Sequence, residues 1–342
     1  MKQISKKVLA FTTICFMMIG MFCIGSYAVS DQSSASQALN TAFQYPVTQE
    51  DAGWENLNTL EKKIEACEVP NGTVEHMTTK ALVETVVNYP LIINIYAFNT
   101  FEDGIQSVSE YFNGLSELIS RKDAMEELAA YSEQNDVWDE NTDVSFYCAK
   151  DLLAYLESKM QNSTTSDIDP TNPPEGGGRA VDINTPGGNT TFGSHNLSWG
   201  SFEGLTYEKS VAIREGFMRT YESTVLLGEI TPMYNCHSYA WLRDYQDDVR
   251  FICDEFPEDN EYTNYWLKTP EDIIDESSYV ETDEEVGAIA YYTSDHSAVV
   301  YSLPSRGEPV VISKWGSNSL FRHELSDCPY GYGSVSYWVA DY

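Results

Sequence analysis

Residues 161–178 read Gln-Asn-Ser-Thr-Thr-Ser-Asp-Ile-Asp-Pro-Thr-Asn-Pro-Pro-Glu-Gly-Gly-Gly. No apolar residue recurs there at a helical or a strand period, and the prolines and glycines oppose a regular backbone. The chain is therefore expected to divide at this linker into two domains, 45–160 and 179–342, and their hydrophobic periods differ.

The first region, about 45–160, reads as helical. Thr78-Thr79 precede Ala81, Leu82, Val83, Val86 and Val87, a helix stopped near Pro90. Leu91 to Phe98 is a short apolar run. Ile105, Val108, Phe112, Leu115 and Leu118 fall on one stripe at three- and four-residue steps, which predicts a helix over 102–119. Ser120 with Asp123 resembles a capping box opening a helix over 121–132. Phe146, Leu152, Leu153 and Leu156 mark another over 144–160.

The second region, 179–342, changes character. Ala180 to Ile183 is strand-like and runs into the turn Pro186-Gly187-Gly188. Residues 206–227 read as a helix, and Cys236 to about Tyr245 as a shorter one. The stretch 246–285 is strongly acidic. Three strand signals follow at 287–292, 296–302 and 309–315, joined by Ser294-Asp295 and by Pro304-Ser-Arg-Gly-Glu-Pro309. Val335 to Val339 is a last strand. Helices followed by an antiparallel meander predict an α+β fold.

The N-terminus reads as an export signal. Lys2, Lys6 and Lys7 precede a mostly apolar Val8 to Ile24, and Ser26-Tyr27-Ala28 is a small-x-small cleavage site. A retained membrane anchor is the alternative. Residues 29–44, rich in Ser, Gln and Ala, form a mobile lead. The chain carries a formal charge of −33, and residues 1–28 hold three Lys and no acid. Such acidity excludes electrostatic binding of nucleic acid or of an anionic membrane. No membrane association is expected after signal cleavage.

Cysteine usage narrows the chemistry. Of seven Cys, Cys15 and Cys23 belong to the signal, leaving Cys67, Cys148, Cys236, Cys253 and Cys328. An odd number in an exported chain leaves at least one thiol unbridged. Either most are isolated thiols, or Cys67–Cys148 and Cys253–Cys328 form bridges and Cys236 is the free one. Cys236 sits in Tyr234-Asn235-Cys236-His237-Ser238-Tyr239-Ala240-Trp241. Asn235 is a good N-cap, so Cys236 falls in a first helical turn, where unpaired amides favour a thiolate. Sixty residues later His296 opens a strand. A helix-borne Cys and a strand-borne His form a nucleophile and general-base pair. A third polar group normally orients the imidazole. Ser313 is the favoured candidate, with Lys314 on the opposite face of the same strand and His323 a rival. His237 would point elsewhere on the helix.

These blocks, together with Gly287-x-Ile289-x-Tyr291-Tyr292, Ser313-Lys314-Trp315-Gly316 and Cys328-Pro329-Tyr330, resemble a group of exported Firmicutes proteins. Their C-terminal domain is similar to the papain-like NlpC and CHAP hydrolases. The segment Ala81 to Pro90 resembles the helical half of such proteins. The resemblance implies a papain-like domain over 179–342 with a central antiparallel sheet. It also implies cleavage of peptide or amide bonds, with peptidoglycan or a peptide as substrate. Two positions depart from the pattern: Ala288 stands where these domains usually carry Asp, and Ser313 or Lys314 where they carry His, Asn, Gln or Glu.

The expectation is thus a secreted or wall-associated cysteine hydrolase with Cys236, His296 and Ser313 as catalytic residues, and no metal or cofactor. No C-x-x-C, H-E-x-x-H, calcium loop, phosphate loop or G-x-S-x-G elbow occurs. The competing expectation is a catalytically weak papain-fold module that binds wall or host ligands. Oligomeric state is not legible.

Overall fold

The structure, a computed structural model, describes residues 39–134, 144–164, 181–186, 188–192, 206–231, 234–244, 270, 274, 278–293, 296–316, 318–331 and 333–341. The expected signal segment, most of the linker and acidic stretch, and Cys253 lie outside the described residues.

Six helices come first: α1 (Leu60–Ala66), α2 (Thr79–Val87), α3 (Phe101–Tyr111), α4 (Asn113–Ser120), α5 (Ala124–Gln134) and α6 (Val144–Thr164). Threonine hydroxyls start three of them: Thr59, Thr78 and Thr100 accept from the amides of Lys62, Ala81 and Asp103. Each satisfies one of the amides left open at a helix start. The apolar run 91–98 coils as a short 3-10 segment, Ile92–Tyr96, buried throughout.

The single stripe over 102–119 is in fact two helices. Phe112 breaks it with extended torsions of φ −129 and ψ 97. Its ring then lies over Gly114, where a Cβ would sit 2.4 Å from ring Cζ. The expected capping box also differs. The Ser120 hydroxyl donates back to Glu117 O at 2.8 Å, and Asp123 accepts from the Thr79 hydroxyl at 2.7 Å, tying α2 to the start of α5.

Among the described residues the second region supplies α7 (Tyr207–Thr220), α8 (Cys236–Leu242) and nine strands. These are β1 (Val181–Thr185), β2 (Gly188–Phe192), β3 (Val225–Gly228), β4 (Tyr279–Thr282), β5 (Ile289–Tyr292), β6 (His296–Ser302), β7 (Val310–Lys314), β8 (Leu320–Glu324) and β9 (Val335–Ala340). β1 and β2 form a separate hairpin. The others make one antiparallel sheet in the order β3-β8-β7-β6-β5-β9-β4. The fold is mixed helix and antiparallel sheet. The helix expected over 206–227 ends at Thr220, and Val225–Gly228 becomes an edge strand. β4 and β8 arise where no strand was expected.

Side chains alternate across the sheet, so each strand serves two faces. On one face Ala290, Tyr292, Ala298, Val300, Val311 and Phe321 share a core with α7 and the helices of the first region. On the other, Ile289, Val299, Ile312 and Leu320 pack with Tyr239, Trp241 and Leu242 of α8. Polar contacts cross the first interface as well. Tyr330 donates its hydroxyl to Ala97 O, and Trp54 Nε1 donates to Thr220 O at 2.9 Å. Lys63 pairs with Asp327 at 2.7 Å, both almost fully buried. Gly316, at φ 56, lets the β7–β8 turn meet the first region, since a Cβ there would sit 2.2 Å from Phe98 O. Residues Ala38–Tyr342 accordingly form one compact unit.

The bridged alternative for the cysteines is corrected. Cys67, Cys148 and Cys328 are unbridged thiols, and all three are buried, as is Cys236. Burial pushes the Cys67 and Cys328 thiols up to about 12, and raises Cys148 well above the ordinary range.

Candidate functional site

Cys236 is the first residue of α8. Asn235 caps the helix through Oδ1, which accepts from Ser238 N and from the Ser238 hydroxyl, both at 3.0 Å. The cap fixes where the helix starts and hence where the thiol sits. Cys236 is 3% exposed, and the helix is short and buried along its whole length. It lies against β6 and β7.

The contacts of α8 define which face of β6 it covers. His237 Nδ1 lies 2.8 Å from Ser297 Oγ, and Trp241 Nε1 donates to the same oxygen at 2.9 Å. His237 and Trp241 are one helical turn apart, so both reach one point on the strand. Ser297 therefore faces α8. By alternation His296 faces the other way, into the core shared with the helices of the first region.

The surroundings of His296 agree. Its ring stacks on Tyr330 with centroids 3.6 Å apart and planes 6° apart, and Tyr292 flanks it at 5.3 Å. It is fully buried, and neither ring nitrogen has a hydrogen-bond partner, so Cys236 is not hydrogen-bonded to it. Burial, then the nearby His237 and His323, hold its pKa well below the usual imidazole range. The ring is neutral, as a general base must be, but it looks away from the thiol's helix.

Ser313 shares a face with His296 and is engaged elsewhere. Its oxygen lies 2.7 Å from His323 Nε2 and accepts from Trp315 Nε1 at 3.0 Å. The other nitrogen, His323 Nδ1, lies 2.8 Å from Glu324 O. A carbonyl only accepts, so Nδ1 carries the proton and Nε2 accepts from the Ser313 hydroxyl. Burial brings the His323 pKa down to about 4.

Lys314 follows on the opposite face, the one α8 covers. It is fully buried, and its ammonium donates to Thr231 O at 2.9 Å, Gly316 O at 3.2 Å and Asn318 O. Its Nζ lies 5.2 Å from the centre of the Tyr234 ring.

The sequence-predicted site thus separates into two groups. Cys236 stands on α8, which covers the face holding Ser297 and Lys314, and its neighbour His237 reaches Ser297. His296, Ser313 and His323 stand on the other. Ser297 was not singled out from sequence; its only signal was its position beside His296 in a strand buried on both faces. A pocket of about 250 Å³, lined by Trp54, Glu55, Lys63, Glu222, Ser223 and Asp327 among others, lies at the Lys63–Asp327 pair and not at Cys236.

Among the described residues no three His, Cys, Asp or Glu side chains converge as a metal site, and no helix is long and apolar enough to cross a membrane. The chain matches no protein-family model, no curated protein and no solved structure.

Proposed function

We propose that the protein is an exported cysteine hydrolase acting on peptide or amide bonds, with cell-wall peptide as the substrate class and Cys236 as the nucleophile. The observation that carries this reading is the company of the thiol. A capped helix start places Cys236 on α8 beside the imidazole of His237, and the sheet face that α8 covers holds the Ser297 hydroxyl and the buried ammonium of Lys314. Those are the group types that deprotonate a thiol and steady the charge of an acyl-transfer intermediate. Cys236 attacks the carbonyl carbon, the leaving amine takes a proton from an imidazole, and water hydrolyses the resulting thioester. The antiparallel meander β5-β6-β7-β8 with α8 laid on it accords with a papain-like domain.

On the α8 face the imidazole is His237, oriented by Ser297; His296 would act only after its ring reached that face. Release of peptide fragments from purified cell wall tests the reading and assigns the base. Wild type should release them and Cys236→Ala should not. Of His237→Gln and His296→Gln, the one that abolishes release identifies the base. Equal release by wild type and Cys236→Ala refutes the proposal.

A second reading is favoured by one observation. His296 is stacked, unbonded and turned from α8, and Ser313 is committed to His323. A papain-fold module that binds wall or host ligands without cleaving them accounts for that arrangement. It is distinguished by retention on cell wall, undiminished in Cys236→Ala, with no fragments released by either protein.

A further inference from the structure

We infer that the cavity at the Lys63–Asp327 pair binds the free amino end of a peptide, with the ammonium among Glu55, Glu222 and Glu324 and the first carbonyl oxygen accepting from Lys63.

The cavity measures about 250 Å³, the liquid volume of about eight waters. One wall comes from the stretch around Trp54 and Glu55, with Lys63 of α1 behind it. The other is Glu222-Ser223, just after α7, with Glu324 at the end of β8 and Asp327 beyond it. Hydrogen bonds knit the second wall together. Ser223 N donates to Asp327 Oδ2 at 3.0 Å, and Glu324 N donates to Ser223 Oγ at 3.0 Å. A site tied in this way is shaped before its ligand arrives, which lowers the ordering cost of binding.

On the floor two charges cancel. Lys63 pairs with Asp327 at 2.7 Å, and both side chains are almost fully buried. An ammonium has three donors. Lys63 gives one to Asp327 Oδ1 and one to Leu57 O. The rings of Trp54 and Tyr221 lie 5.8 and 5.2 Å from the nitrogen and attract its charge. Among the described residues the third N–H has no oxygen acceptor. A buried donor left unmet is costly, and a ligand oxygen in the cavity satisfies it.

The rim has the opposite need. Glu55 and Glu222 are exposed and Glu324 is half-buried. Among the described residues none of the three carboxylates pairs with a Lys, Arg or His. Lys62 donates to Asn58 Oδ1 at 2.7 Å and brings one positive charge to the rim, where the carboxylates outnumber it. Burial, then the carboxylates of Glu308 and Asp327, raises the pKa of Glu324. A cation beside it relieves that repulsion. The lining therefore suits a ligand that carries a cation and an acceptor side by side. In a peptide's amino end one carbon separates the ammonium from the first carbonyl. A carboxylate ligand would meet three like charges, and a bare amine would leave the Lys63 N–H unmet.

The test is isothermal titration calorimetry at pH 7 and low salt, on the full chain carrying Cys236→Ala so that no probe is cleaved. The probes are alanylalaninamide, its N-acetyl form and butylamine. At this pH an α-amino group, with a pKa of about 7.7–8.0, is mostly charged. Alanylalaninamide should bind saturably, one per chain. Acetylation removes the cation and should weaken binding at least about tenfold, and butylamine, which lacks the acceptor, should bind at least about fivefold more weakly. The double variant Glu222→Gln with Glu324→Gln should weaken alanylalaninamide about tenfold. If the double variant does not fold, Glu222→Gln alone, at an exposed position, decides with a loss of about threefold. Absence of saturable binding, equal binding of the acetylated probe, or unchanged binding in the deciding variant overturns the inference. Butylamine binding as tightly as alanylalaninamide overturns the part given to Lys63, and the peptide end with it. The inference does not rest on Cys236 chemistry. Wall cleavage that needs Cys236, without binding of alanylalaninamide, sinks only the amino-end site. Saturable binding in a protein that cleaves nothing sinks only the hydrolase.

Discussion

His323 should make the fold labile in mild acid. The ring is fully buried on β8, and its hydrogen bonds fix the neutral form. Nδ1–H donates to Glu324 O, and Nε2 accepts from Ser313, whose oxygen in turn accepts from Trp315 Nε1. A second proton on Nε2 would turn an acceptor into a donor facing a hydroxyl already donating to it. The pKa in the fold is about 4, against about 6.5 in an unfolded chain. The folded pKa is depressed, so between those values the unfolded state binds the proton and the folded state does not. Stability is complete above about pH 6.5 and falls as pH drops toward 4, by about 1.4 kcal/mol per pH unit and about 3 kcal/mol in all. His296, also fully buried and depressed, adds loss in the same direction. The assay is urea denaturation at pH 7, 5.5 and 4 on wild type and His323→Gln. Glutamine stays neutral and keeps a polar group near Ser313. The variant should be the less stable at pH 7, by about 1–2 kcal/mol for imperfect bonding. The difference should close or reverse by pH 4. Other titrating groups contribute alike to both proteins and cancel. Parallel stability curves over this range would refute the assignment of a neutral, proton-excluding His323.

Three further perturbations probe the shared core. Asp327→Ala leaves the Lys63 ammonium, 2% exposed, without its carboxylate and should cost about 3–5 kcal/mol in urea denaturation; the double variant with Lys63→Met should cost less than the sum of the singles. Gly316→Ala forces a Cβ onto Phe98 O at positive φ and should cost at least about 2 kcal/mol, read as a lowered Tm; an unchanged Tm would deny the close approach. Residues 179–342 expressed alone should bind a hydrophobic dye and melt without cooperativity, because Val300, Val311, Trp315 and Phe321 lose their cover. A sharp melting transition from that fragment would show that the sheet does not need the helices.

Much of the architecture was legible where the period was long and local. α2 and α6 announced themselves through apolar stripes, and β5, β6 and β7 through strand runs closed by turn residues. The failures have physical causes. Val225-Leu226-Leu227 continues an apolar run after α7, and over four residues an edge strand and the last turn of a helix look alike. β8 alternates poorly because Leu320 and Phe321 are both buried, each serving a different core. The break at Phe112 depends on its ring filling the space over Gly114, a contact no stripe encodes. The merging of helices and sheet depends on pairs such as Lys63 with Asp327 and Tyr330 with Ala97, hundreds of residues apart.

The candidate site shows the same limit most sharply. The Asn235 cap was readable, and Cys236 stands where the cap puts it. The face of His296 was not readable. A strand with one wet face tells its orientation by alternating apolar and polar residues. β6 has no wet face over its first five residues, all of which are buried. His296-Ala298-Val300 and Ser297-Val299-Tyr301 are then equally good inward sets, and a shift of one residue exchanges them. What decides between them is a fit made elsewhere. His237 and Trp241, one turn apart on α8, converge on a single small hydroxyl, and Ser297 can lie beneath them where an imidazole would not. The flat ring of His296 finds its match in Tyr330, which is itself held by a carbonyl of the first region. The helical half therefore helps to set which face of the sheet His296 takes. The arms His237→Gln and His296→Gln consequently report on that packing as well as on the chemistry.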